Sequence, residues 1–502
     1  MALPKKLKRS PAEGELPFEY DWEPAEEVLT AYAGVPLLVR AVRSLGVPAS
    51  VKQHLELKQR QRGFDEATYV ESFLVLNALG GECLEDLERL REDQGLAEML
   101  GHELPSPEAA RKFLYGFHDE ERIEQAQREL PVEQVSYIPS ESEPLRALAQ
   151  VNPELVREIG RRCADQKIAT VDLDATVIES FKQEAKPTYA GGKGYPPLLA
   201  LWAEMDLGLA DEFRDGNVPA HVEPLPTAKR AFRALPESVT EFYFRGGSGC
   251  WDRELLNWLR DERGEDGPQG PITFGVSVRM TPNLRKHILR LPENLWKPYR
   301  EEADAVSECA DVLNHWPEEE GRPEGAGPLR YVAIRVRKRQ GELFADGSEA
   351  RYFAVATNQW EWSAKKLLEW HREKAGSIEA LHDVLKNELA AGVMPCGRFG
   401  ANAAWLRMAV LTHNVLTGLK RIALKPERLR ARPKRLRFHF FFSPGKLIHH
   451  ASSSARSTRP LHYGRITAWA VRCGDGPGSP RLPCKMRYPP RGEISLFRRL
   501  MR

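Results

Sequence analysis

The residues best placed to do chemistry are two aspartates in the stretch Thr170–Glu179, TVDLDATVIE. Ile168, Ala169, Thr170 and Val171 lead in, and Thr176, Val177 and Ile178 close it, which is the pattern of a short, mostly buried strand. Strand side chains alternate faces, so Asp172 and Asp174 project on one side, with Thr170 and Thr176. A carboxylate in a buried strand is costly unless it is paired, hydrogen-bonded or metal-bound. A strand-end aspartate capping a turn is the plain alternative, and a lone Asp-x-Asp does not choose between them. A distant glutamate adds weight. Glu379 lies in SIEALHDVLK, where Ile378, Leu381 and Leu385 form an apolar helical stripe and Lys386 falls two turns along the face of Glu379. Phosphodiester chemistry with two divalent ions needs converging oxygen ligands. One carboxylate from a central strand, one from a neighbouring strand's end and one from a packed helix would supply them. An exposed helical glutamate is the plain alternative for Glu379.

The elements that must position these residues change texture along the chain. Residues 1–24 are polar and Pro-rich and are expected to be a disordered arm. Residues 25–122 read as helices, with Ser106 as an N-cap and Pro107 in the first helical position of LPSPEAARKFLYGFH. Arg111 and Lys112 sit early on that helix and suit a helix-turn-helix-like DNA reader. A plain helical bundle accounts for the same residues, and both readings stay open. Residues 123–165 form a linker and a lead-in helix. Strands and helices alternate over 166–280, with a hairpin connection at Met205–Leu209, which argues for an α/β layer. Residues 281–358 read as a β-rich insertion, helix returns over 359–420, and 421–451 is a basic segment. From Ser452 to the end the composition is rich in Ser, Pro, Gly and Arg without periodicity, a poorly ordered tail.

Composition excludes some classes. At 502 residues the chain can hold roughly two to four folding units. Net charge is only +2, so bulk charge names no partner, but distribution is more telling. Ten Lys or Arg residues lie between Lys420 and Lys446 against one acid, Glu427, which suits a phosphate-contacting surface or a merely solvated one. No apolar run approaches a membrane span, and the N-terminus lacks the apolar region of a secretory signal. Seven scattered cysteines form no CxxC pair and read as reduced thiols of a cytosolic protein.

Several separated motifs, in this order, carry a resemblance: LTAYAGVPLL, LEDLERLREDQGLAEMLG, LPSPEAARKFL, TVDLDATV, TYAGGKGYPPLLA, EFRDGNVPA, FRGGSGCWDRELLNWL, SIEALHDVLKNE and FGANAAWLRMAVLTHNVLTGLK. From about Leu29 to Ala451 the chain resembles the DDE-type transposases of bacterial insertion sequences, in the "IS-thirteen-eighty" group, relatives of the IS-four transposases. The resemblance implies a ribonuclease H-like catalytic core (166–280 and 359–420) interrupted by the β-rich insertion. It also implies a helical region over 25–122 that engages terminal inverted repeats. It further implies strand cleavage and transfer on double-stranded DNA with two Mg²⁺ or Mn²⁺ ions, a homodimer on paired ends, and a bacterial cytoplasmic, nucleoid-associated location without a membrane.

Carried over residue by residue, the first acid falls on Asp174, with Asp172 as the secondary candidate, and the third on Glu379. Relatives carry an arginine before this glutamate and a lysine after it. Lys386 matches the lysine, whereas Ala375 stands at the arginine's place, with Arg372 or Lys374 nearby as substitutes. The second acid departs from the family. Where the pattern is R-x-D-S, this chain reads Arg245-Gly246-Gly247-Ser248, so Gly247 occupies the aspartate's position. Asp252 is the nearby rescue. The resemblance therefore implies a catalytically impaired copy, or else a DNA-binding protein derived from a transposase that does not cut. Arg245, Arg372, Lys374 and Lys386 are expected to meet scissile-end phosphates, and Lys420, Arg421, Lys434 and Arg435 to track backbone further along. The unfamiliar tail after about 451 suggests a reading-frame change near Ser452.

Overall fold

The computed structural model describes residues 28–57, 63–130, 136–261, 267–312, 328–339 and 343–447. The expected arm at 1–24 and tail at 452–502 lie outside them. The Asp-bearing segment is a strand, β1 (Ile168–Ala175), buried from Ala169 to Leu173. It is followed by β2 (Leu198–Trp202), β3 (Leu207–Glu212), β4 (Glu241–Gly246) and β5 (Ile272–Ser277). These five run in the spatial order β3-β2-β1-β4-β5. β2 is antiparallel to both β1 and β3, whereas β1, β4 and β5 are parallel neighbours. The expected hairpin is present, with Asp206 in its turn at φ +53° and β3 starting at Leu207. Thr176 differs from expectation: β1 ends at Ala175, and the Thr176 N–H donates to the Pro197 carbonyl.

The insertion extends this sheet. β6 (Lys297–Glu301), β7 (Ala305–Asp311), β8 (Arg330–Lys338) and β9 (Ala350–Thr357) form an antiparallel series whose last strand hydrogen-bonds the β5 edge. The result is a nine-stranded sheet, β6-β7-β8-β9-β5-β4-β1-β2-β3. Pairing the β5 edge satisfies backbone groups that an open edge would leave exposed.

Two long helices complete the core: α1 (Ala364–Glu388) and α2 (Phe399–Ala423). Ser363 caps α1, its side chain accepting the Lys366 N–H at 3.2 Å. Leu367 and Leu368 at its start pack on Cys309, Val332 and Val355 of the insertion. Every residue of α2 from Phe399 to Lys420 is buried, as expected for a helix that is apolar nearly all round. Several of its polar side chains are paired. Arg407 reaches Asp211 and Glu141, each at 2.8 Å, and the Asn414 amide spans Asn152 and the Gly208 carbonyl, each at 2.7 Å.

The N-terminal region is helical, as the sequence predicts: Val35–Ser44, Val47–His54, Glu66–Leu79, Asp86–Arg91, Gln94–Leu100, Pro107–Tyr115 and Glu120–Glu129. Ser106 caps as expected, accepting the Ala109 N–H at 3.2 Å. These helices share one hydrophobic core with the sheet through α2, for example where Phe73 meets Trp405 edge-on at 5.9 Å. At Gly400 a Cβ would sit 2.2 Å from the Phe117 carbonyl oxygen, so only glycine lets the helical region approach α2 this closely.

Candidate acid site between the central strand and the long helix

Sheet register brings Asp172, Asp174, Arg245 and position 247 together, but neither Glu379 nor Asp252 joins them through it. β1 and β4 pair in parallel with Asp172 opposite Arg245 and Leu173 opposite Gly246. One residue past the end of β4 is Gly247, which falls beside Asp174. α1 crosses this end of the sheet and sends Lys374, Ser377 and Lys386 toward it.

Asp172 is a structural carboxylate. It is fully buried, and both oxygens are taken by Arg245, at 2.6 Å from Nε and 3.0 Å from Nη2, with the Ser377 hydroxyl donating to Oδ2 as well. Arg245 is itself only 3% exposed. Its Nη1 donates to the Trp370 carbonyl at 2.8 Å and to Glu373 at 3.1 Å, and Trp370 stacks over the guanidinium. The expectation that Arg245 meets a DNA phosphate does not fit this placement. A buried guanidinium whose donors are held by a carboxylate and a carbonyl ties β1, β4 and α1 together.

Asp174 has the opposite character. It is about a third exposed, and its Oδ2 accepts from Lys374 Nζ at 2.6 Å while Oδ1 accepts the Ala175 N–H at 3.1 Å. A Cβ placed on Gly247 would lie 3.5 Å from Asp174 Oδ1 and 3.8 Å from Lys374 Nζ. Those are ordinary van der Waals distances. The Gly247 backbone, at φ −75° and ψ −173°, is open to any residue, so neither space nor conformation calls for glycine. Lys374, which the sequence reading places at the DNA phosphates, is 9% exposed and turned inward onto Asp174. The available signal was its place four residues before Ile378, on the apolar stripe of α1, where a lysine must find a buried partner.

Glu379 is exposed on α1 and takes no hydrogen bond or ion pair among the described residues. It lies about 100° round the helix from Ile378, on the flank it shares with Lys386. The Lys386 ammonium donates to Thr176 Oγ1 at 2.9 Å, so that flank borders the end of β1. Asp252 caps the helix Arg253–Leu259, accepting the Leu255 N–H at 2.9 Å, which accounts for its type at this position.

Sequence reasoning missed four neighbours. Ser377 orients Asp172. His382 is buried, and its Nε2 has no hydrogen-bond partner among the described residues. Burial pushes its pKa down to about 4 against the pull of the Asp174 charge, so the ring is neutral. His371 is likewise pushed down to about 4 by burial, its Nε2–H donating to the Gly246 carbonyl at 3.1 Å. The Cys250 thiol, pushed up to about 12 by burial and by Asp174, stays protonated.

This donor set does not fit a pair of divalent ions. Position 247 offers no side-chain oxygen, both Asp172 oxygens are engaged by cationic and hydroxyl donors, and Asp174 already carries an ammonium. Among the described residues, no three His, Cys, Asp or Glu side chains are gathered as ligands.

The basic residues divide into two sets. Lys420 is buried against Asp206 at 3.3 Å, and Arg421 donates to the Met205 and Glu204 carbonyls at 2.8 and 2.6 Å. Both hold the β2–β3 hairpin, a departure from the expected backbone-tracking role. Arg111 is paired with Glu85 at 2.6 Å and Glu108 at 2.9 Å. Lys112, Arg372, Lys434 and Arg435 are exposed, with Phe438 beside the last two in sequence and 79% exposed.

The strand order, the aspartates on β1 and the acid-bearing helix packed across them form the ribonuclease H-like arrangement of DNA-processing enzymes. The chain belongs to the Transposase DDE domain group 1 family, which matches residues 26–455. No curated protein matches the chain. Among solved structures, it is similar to that described as "Cryo-EM structure of piggyBac transposase synaptic complex with hairpin DNA". The identity is 13% and the TM-score 0.41, over 82% of this chain and 81% of that one. No helix among the described residues is long and apolar enough to cross a membrane.

Proposed function

We propose that this protein is a transposase of the "IS-thirteen-eighty" group that binds its element's terminal inverted repeats but is impaired in strand cleavage and transfer. The observation that carries this reading is the position of Gly247. Its missing side chain would start 3.5 Å from Asp174, in a backbone conformation that an aspartate adopts without strain. The loss therefore removes a ligand and nothing else. Asp174 and Glu379 remain as the acids of the site. In this reading residues 25–122 engage the ends, Lys112 and Arg372 join Lys434 and Arg435 as phosphate contacts, and two copies act on paired ends in the bacterial cytoplasm. The helix-turn-helix role of Arg111 is reduced by its two carboxylate partners.

A second reading, a non-cutting DNA-binding protein that occupies the ends of related elements, is favoured by the Lys374–Asp174 pair, which gives the carboxylate a cationic partner without a metal. Both readings predict that the natural protein shifts a labelled element-end duplex in preference to a scrambled one, with or without Mg²⁺ or Mn²⁺, and does not nick it. Nicking by Gly247→Asp alone assigns the defect to that side chain and supports the first reading. Metal-dependent nicking by the natural protein, abolished in Asp174→Asn, overturns the impairment; no preference for the element end overturns end binding.

A further inference from the structure

We propose that the Lys374 ammonium is the resident cation of the acid site, taking the place between Asp174 and position 247 that a divalent ion would need. The inference rests on the reading of Asp174 and position 247 as the acid site. It goes beyond the loss of a ligand, because it says that the chain supplies its own counter-charge.

The geometry is specific. Lys374 Nζ donates to Asp174 Oδ2 at 2.6 Å and lies 3.8 Å from the point where a side chain at 247 would begin. The ammonium thus lies within reach of both positions whose carboxylates would share an ion. The lysine is held there by the helix. Its neighbours on the sheet side of α1 are anchored independently: His371 by the Gly246 carbonyl, Ser377 by Asp172, and Ile378, Leu381 and Leu385 in the core. With only 9% of Lys374 exposed, the ammonium leaves Asp174 only by entering apolar surroundings or by pulling its stem out past packed side chains.

Charge balance points the same way. Arg245 neutralises Asp172 and Lys374 neutralises Asp174, while the neighbouring His371 and His382 are both held neutral by burial. The interior of the site thus carries no net negative charge to attract a dication. Adding an aspartate at 247 restores one negative charge but leaves the ammonium in competition for it.

The test measures Mn²⁺ binding to the full chain without DNA, by electron paramagnetic resonance and by Mn²⁺-dependent shift of the melting temperature. It compares the natural protein, Gly247→Asp, Lys374→Met and the double variant, and so it succeeds or fails independently of end recognition. The expected result is no site in the natural protein or in Lys374→Met. Gly247→Asp should bind weakly, and the double variant at least about tenfold more tightly than Gly247→Asp. The melting temperature should rise with Mn²⁺ most in the double variant, less in Gly247→Asp, and not in the other two proteins. If Lys374→Met does not fold, Lys374→Gln keeps a hydrogen bond to Asp174 while removing the charge, and the same ordering is expected. The proposal is overturned if Gly247→Asp binds as tightly as either double variant, if the natural protein binds Mn²⁺ in the same range, or if a folded double variant gains nothing over Gly247→Asp.

Discussion

Asp172 and Asp174 stand two residues apart on one strand face, and the structure gives them different work, so matched substitutions should separate them. Asp172→Asn keeps the shape of the side chain and removes its charge. Arg245, 3% exposed, would then hold a guanidinium with no full counter-charge inside the protein, and a guanidinium cannot escape by losing its proton. Breaking one partner of a buried pair of this kind costs roughly 3–5 kcal/mol. Glu373, whose side chain is mostly exposed, offers Arg245 only a screened partner at 3.1 Å. Asp174→Asn strands the mostly buried Lys374 ammonium, but the carboxylate side of the pair is one-third open to water that screens it, so the loss is smaller, about 1–2 kcal/mol. The assay is urea unfolding of the full chain at pH 7 without DNA or metal, followed by tryptophan fluorescence. Removing both charges in Asp172→Leu/Arg245→Met should recover much of the loss, because nothing charged is then left stranded. The reasoning fails if Asp172→Asn is as stable as the natural protein to within about 1 kcal/mol, or if Asp174→Asn is the costlier of the two.

Three further outcomes follow from the structure. Lys434→Ala/Arg435→Ala should weaken binding to any duplex and reduce the slope of log K against log salt by roughly 2. Lys420→Ala should lower stability and leave that slope unchanged, because its ammonium is on Asp206; equal slopes for all three proteins would remove the Lys434–Arg435 surface from the interface. His371 and His382 have folded pKa values pushed down to about 4 from the ordinary 6.5, so the unfolded chain binds more protons below pH 6.5. Stability is then complete above about pH 6.5 and falls as pH drops toward 4, by on the order of 2 kcal/mol for each ring. In urea titrations at pH 7 and pH 5, His382→Leu should flatten part of this acid limb; an unchanged limb would show that His382 is not buried as a neutral ring.

The sequence by itself determined which segments are strands and helices around the site. Apolar alternation places Asp172 and Asp174 on one face of β1, and the stripe through Ile378, Leu381 and Leu385 makes the acid-bearing part of α1, because these signals are local and repeat with the backbone's own period. It also showed that Gly247 lacks an acid, since a residue type needs no coordinates. Only the tertiary structure decided what each charge does. The parallel register of β1 and β4, and the seating of α1 across them, turn Arg245 inward onto Asp172 and Lys374 onto Asp174. The same is true of Lys420 and Arg421, which look like part of a basic surface in a linear run and are consumed by the β2–β3 hairpin. The physical reason is that a charged side chain's role depends on burial and on partners far away in sequence: some 70 residues separate Asp172 from Arg245, and 200 separate Asp174 from Lys374. A pattern within one segment carries no record of which remote group will share its desolvated space.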